Sequence, residues 1–209
     1  MPLLDPAPKP LTTTLAAGRN IPWLLTTRAT QRPDHPFLIW EPFDGPGRTW
    51  TYREFEYHVR RLASGLQKRG IAPGDKIVIH LENCPDFLFS WFACAYVGAI
   101  AVCTNTRSSA LELTYFGEHS QAVAAITQPR LAPVVQQALP NLRWIAVTSR
   151  DADESAGSGL APERSATLDA VFSDSVDSVQ PTAGPFDPAW IQYTSGTTSR
   201  PKAVVLTHA

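Results

Sequence analysis

With 209 residues, 44% of them hydrophobic, the chain is long enough to bury the core of one domain and at most a small extension. Its 18 basic and 19 acidic residues leave a formal charge of -1, so there is no electrostatic footprint for nucleic acid or for an anionic membrane surface. Cys84, Cys94 and Cys103 form no CxxC pair. Two of them lie in apolar surroundings and read as reduced core thiols, neither a disulfide frame nor a zinc site, which favours the cytoplasm.

In chain order, the prolines of MPLLDPAPKPLTTTL interrupt the apolar core that an export signal needs, and residues 1 to 37 read as an N-terminal extension. An α/β unit follows over residues 38 to 148. Thr51 and Glu54 stand at capping-box spacing, and Phe55, Val59, Leu62 and Leu66 recur at helical spacing, which predicts a helix from about residue 52 to 69. Gly70 and the Pro73-Gly74-Asp75 turn end it, and KIVIHL, residues 76 to 81, reads as a buried strand. The uncharged run FLFSWFACAYVGAIAVC, residues 87 to 103, is shorter than a membrane span and contains Ser90 and Gly98. It reads instead as a buried helix from Pro85 to Val97, a break at Gly98 and a strand to Cys103. Ser109 and Glu112 repeat the capping-box spacing ahead of a short helix to about His119, and AVAAIT is the next strand. Residues 131 to 139 look helical, and RWIAVT at 143 to 148 is a further strand. Strands alternating with helices imply an α/β fold with a mainly parallel sheet covered by helices on both faces.

Residues 149 to 188 are rich in small, acidic and turn-forming residues and read as a surface loop, with one short helix expected over Thr167 to Phe172. Order returns in a strand–loop–strand over residues 189 to 209. AWIQYT leads into SGTTSRPK, which offers the hydroxyls of Ser195, Thr197, Thr198 and Ser199, free backbone N–H groups and the cations Arg200 and Lys202. That inventory suits a phosphate: hydroxyls and amides donate to several oxygens, Gly196 lets the backbone approach, and lysine supplies a compact charge. The glycine-lysine loop of the G-x-x-x-x-G-K-[ST] type is not matched, because Pro201 replaces its second glycine and Ala203 its metal-binding hydroxyl. AVVLT then continues as strand, so no helix N-terminus backs the loop.

YTSGTTSRPKAVVLTH resembles the phosphate-binding loop of the adenylate-forming, or AMP-binding, acyl-CoA synthetase superfamily. Residues 49 to 107, and LTYFGEHSQAVAAIT after them, are similar in order and texture to the N-terminal portion of those enzymes. The likeness runs from about Leu38 to the last residue and is least over 149 to 188. It implies the incomplete N-terminal part of the adenylate-forming fold, and an activity that converts a carboxylate and ATP to an acyl-adenylate and pyrophosphate, then passes the acyl group to coenzyme A. On the matching positions, Thr194, Ser195, Gly196, Thr197, Thr198 and Lys202 would contact the β- and γ-phosphates. Ser199 and Ala203 stand where the superfamily most often has glycine, and TSGTTSRPK is similar to the carnitine and crotonobetaine CoA-ligase branch.

The resemblance also implies that the adenine, magnesium, acyl and catalytic-lysine contacts belong to segments beyond residue 209. No catalytic residue and no metal ligand is therefore expected here, although the family's cofactors are ATP, Mg2+ and coenzyme A. His35, His58, His80 and His119 carry no metal-ligand spacing, and His208 reads as structural. Three functions follow: a fragment of an ATP-dependent ligase that is inactive alone, a nucleotide-binding or regulatory module without turnover, or a structural subunit that pairs through a sheet edge left open near Leu206.

Overall fold

In a computed structural model of the chain, the described residues are 18–43, 45–152, 165–176, 179–194 and 201–209. Helix α1, Ile21–Gln31, lies within the expected N-terminal extension and is held at its start by the Asn20 side chain, which accepts from the Trp23 N–H. Its Leu25 is buried in the main core. The sequence reading missed this helix and the hairpin after it, in which β1, Pro36–Trp40, pairs antiparallel with β2, Arg48–Thr51.

Helix α2, Tyr52–Lys68, begins with the expected capping box: the Thr51 hydroxyl accepts from Glu54 N, and the Glu54 carboxylate accepts from Thr51 N. Strand β3, Lys76–His80, follows, then helix α3, Pro85–Val97, which ends at Gly98 with φ 70°. Glycine takes that left-handed turn without a Cβ penalty, and strand β4, Ile100–Cys103, starts two residues later. Helix α4, Ala110–Ser120, carries the second expected capping box, from Ser109 and Glu112. Strand β5, Ala124–Thr127, a single 3-10 turn at Pro129–Leu131, helix α5, Ala132–Ala138, and strand β6, Trp144–Val147, complete the alternation.

The remaining strands are β7, Ser165–Thr167; β8, Pro188–Thr194; and β9, Lys202–Thr207. A seven-stranded sheet forms in the order β7-β6-β5-β3-β4-β8-β9, parallel throughout except for the antiparallel β8–β9 pair. Alternate residues feed two cores. Ile77, Ile79, Ala101 and Ile126 face α2 and α3, whereas Val78, Val102, Ala125 and Val147 face α4 and α5 with Leu113, Phe116 and Val135. The sheet is thus covered on both faces, as expected for a parallel sheet.

The short helix expected over Thr167 to Phe172 is not formed. Thr167 closes β7, and the Leu168 N–H extends the ladder by donating to Val147 O at 2.7 Å. Leu168 and Val171 are buried in the α2 side core, so tertiary burial overrides the local helical pattern. The chain then runs back along α2, where Arg69, Arg61 and Arg60 donate in turn to the carbonyls of Ala170, Ser173 and Val176. Gly65 makes that approach possible: a Cβ there would collide with the Val171 carbonyl.

Cys94 and Cys103 are buried and Cys84 is half-buried, all three as free thiols. Burial pushes Cys84 and Cys103 up to about 12, which leaves them protonated. Among the described residues, no helix is long and apolar enough to cross a membrane.

Candidate functional site

The chain passes from β3 to β4 on one side, then returns to β5 on the other side of β3. Loops leaving neighbouring strand ends therefore diverge to opposite faces, which opens a crevice at the carboxyl edge of the sheet. A cleft of about 930 Å³ lies there. Leu81, Glu82 and Asn83 enter it from β3, Thr104 and Asn105 from β4, and Gln192 from β8.

The cleft has a fixed polar floor. Buried Gln128 donates from Nε2 to Glu82 Oε2 at 3.0 Å and to Asp151 Oδ1 at 3.1 Å, and its Oε1 accepts from the Glu82 N–H. Arg130 pairs with Glu82 at 2.6 Å, and its backbone N–H donates to Asp151. Beneath Thr104, His80 Nδ1 lies 2.8 Å from the threonine hydroxyl, which itself donates to Ile79 O. That pattern assigns the proton to Nδ1. Burial pushes His80 down to about 4, so the ring is neutral at pH 7, and its Nε2 has no partner among the described residues.

Of the residues expected to hold phosphate, Thr194 ends β8 and Lys202 begins β9, and the two are Cα partners across the antiparallel pair. Both are exposed. Lys202 forms no ion pair within 4.0 Å among the described residues. Ser195, Gly196, Thr197 and Thr198 lie outside the described residues, as do Ser199 and Arg200.

Both stems of this loop are attached to α4. The Tyr193 ring stacks on Phe116 at 4.2 Å between centroids, and its hydroxyl is 2.9 Å from His119 Nδ1. The Tyr115 hydroxyl donates to Pro201 O at 3.2 Å on the returning stem. Burial, followed by the neighbouring Tyr115, pushes Tyr193 up to about 12, so it remains a neutral hydrogen-bonding group. Sequence reasoning missed this anchor. Its only signal was the helical spacing of Tyr115, Phe116 and His119, and the partner lies 74 residues away.

Among the described residues, no group of three or more His, Cys, Asp or Glu side chains gathers to hold a metal. The chemistry available at the strand ends is that of anion contact and orientation: two exposed donors facing each other at the neck of a hydroxyl-rich loop.

The chain is 38% identical over 179 residues to the crotonobetaine/carnitine–CoA ligase of Escherichia coli O127:H6, covering 82% of this chain and 33% of that protein. The ligase of the same description from Escherichia coli O6:K15:H31 is 37% identical over the same shares. The chain therefore spans about a third of the length of these relatives. Among solved structures, acetoacetyl-CoA synthetase from Streptomyces lividans superposes with a TM-score of 0.79 at 22% identity, over 90% of this chain and 30% of that one, a likeness of fold. The profile of the family described as AMP-binding enzyme matches residues 25–209, through the strand–loop–strand to the last residue, and the chain belongs to that family.

Proposed function

We propose that this chain is the phosphate-holding N-terminal portion of an ATP-dependent acyl-CoA synthetase. The complete enzyme would activate a carboxylic acid to its acyl-adenylate, releasing pyrophosphate, and then transfer the acyl group to coenzyme A. The observation that carries this reading is the pairing of Thr194 with Lys202 at the neck of a loop whose two stems are fastened to α4. Thr194, Ser195, Gly196, Thr197, Thr198 and Lys202 would surround the β- and γ-phosphates. Developing negative charge on the leaving pyrophosphate is what hydroxyl donors and a lysine ammonium stabilise. Mg2+, when bound, would supply charge neutralisation to the phosphates, and none of the residues named here is assigned to hold it.

The identities to ligases over a third of their length support a relationship to such enzymes. Calorimetric titration of the chain with Mg-ATP is expected to give millimolar or tighter binding, weakened about 10-fold in Lys202→Ala, which equals about 1.4 kcal/mol. Absence of heat at millimolar nucleotide would reject phosphate holding by this chain. ATP–pyrophosphate exchange by the chain alone, above the Lys202→Ala background, would show instead that the portion is catalytically complete.

A second reading has its own observation. Among the described residues strand β9 is at the sheet edge and leaves Val204, Val205 and Leu206 44%, 54% and 36% exposed, which suits pairing with another polypeptide. Sedimentation that stays monomeric across concentration would count against self-pairing through this edge.

A further inference from the structure

A second cavity, of about 350 Å³, lies between the β1–β2 hairpin and the start of α3, and among its lining residues shares only Trp40 and Ala152 with the cleft at the strand ends. It contains three polar side chains that form no hydrogen bond or ion pair among the described residues. Arg48 stands on one wall with its guanidinium 4.5 Å from the centre of the Trp50 ring, and among the described residues no carboxylate lies within 4.0 Å of it. Asp86, in the first turn of α3, lines the same space and accepts no hydrogen bond from a described residue. Trp50 is 5% exposed and lines the cavity, yet its indole N–H has no acceptor among the described residues.

The other charged groups do not fill these needs. Arg150 and Asp151 already have partners, the latter Gln128 and the Arg130 N–H. His58 is held below its usual range, first by burial and then by Arg48 and Arg61, so it offers no cation at neutral pH. Asp169, exposed and lining the same cavity, adds a second negative charge near Asp86. Burial, then that charge, pushes Asp86 up to about 6. An anion in that position gains from a cation that also brings N–H donors. Because Arg48 and Asp86 share a cavity without touching, a bridging ligand must carry both signs.

We propose that this cavity binds a free α-amino acid as its zwitterion, with the ammonium between Asp86 and Asp169 and the carboxylate against Arg48 and the Trp50 indole N–H. A primary ammonium provides three donors for the two aspartates, and a carboxylate accepts from guanidinium and indole together. The rings of Phe89, Phe172 and Trp40 face the same space, so an apolar side chain fits better than a charged one. The site is separate from phosphate holding and does not depend on it.

L-leucine is the probe, titrated calorimetrically into the full chain at neutral pH beside two one-ended analogues, 3-methylbutylamine and 4-methylpentanoate. Leucine is expected to bind at least about 10-fold more tightly than either analogue. Asp86→Asn should weaken leucine and the amine while sparing the acid, and Arg48→Gln should do the reverse. Asp169→Asn, at an exposed position that folding tolerates, should weaken leucine by a smaller factor and keeps the test decisive if Asp86→Asn fails to fold. Lys202→Ala should leave leucine binding unchanged. No leucine binding, equal affinity for leucine and its analogues, or indifference to all three pocket substitutions would overturn the assignment.

Discussion

Strands β3 and β9 belong to one sheet and have similar apolar runs, KIVIH and KAVVLT, but their surroundings differ. In β3, Ile77, Val78, Ile79 and His80 are fully buried because α2 and α3 cover one face and α4 and α5 the other. In β9, three consecutive apolar residues reach solvent and only Ala203 packs against the α4 and α5 side core, so neither face is fully closed. The difference teaches that burial here is conferred by the crossover helices and not by the strand sequence. Folding free energy concentrates in the helix-covered body, whereas the hairpin at the edge takes its position from α4 through Tyr193 and Tyr115.

The largest test of that division is Phe55→Ala. Phe55 is fully buried and contacts the rings of Phe37, Phe89 and Phe92, so its truncation should cost about 3–5 kcal/mol in urea unfolding. A cost below about 1 kcal/mol would mean that the body is not where stability resides.

Acid titration comes next. The His80 pKa is about 4 in the fold against 6.5 outside it, so unfolding takes up a proton in that window and its contribution, complete above pH 6.5, is lost as pH falls toward 4. The full loss is on the order of 3 kcal/mol. Asp86 acts oppositely: its raised pKa makes the folded state gain stability as pH falls from about 6 toward 3.8. Thermal melts of Asp86→Asn should therefore decline more steeply with acid than those of the parent chain. Equal slopes would break the assignment of opposing groups.

Smaller again, Thr51→Ala removes the α2 capping box and should cost about 1 kcal/mol, read by the same unfolding curves. Val205→Ser on the open edge should change stability by less than about 0.5 kcal/mol. A loss above about 1 kcal/mol would show that β9 is covered in solution.

How much the sequence revealed follows the same division. Both capping boxes, the Pro85–Val97 helix and the central strands were legible because local chemistry and hydrophobic period agree there. Helix α1 escaped because its buried stripe is thin, with Pro22 and Leu25 alone buried. The expected helix at Thr167 lost to pairing with β6, a contact no local pattern encodes. The loop could be put forward from its composition and its likeness to a family motif, but its attachment to His119 and Tyr115 and the cavity around Asp86 join segments far apart in the chain.

The close approach at Gly65 has a consequence for the path of the chain. From β7 the polypeptide must reach β8 at the far side of the sheet, five strand positions away and about 24 Å in distance. It travels over α2, fixed to its arginines, then past α1, where Asn20 donates to Ala183 O. Gly65 is the notch through which that strap first lies flat. A single methyl group at position 65 would lift the strap at its root, so one atom there governs how the strand carrying Thr194 is delivered to the opposite side of the molecule.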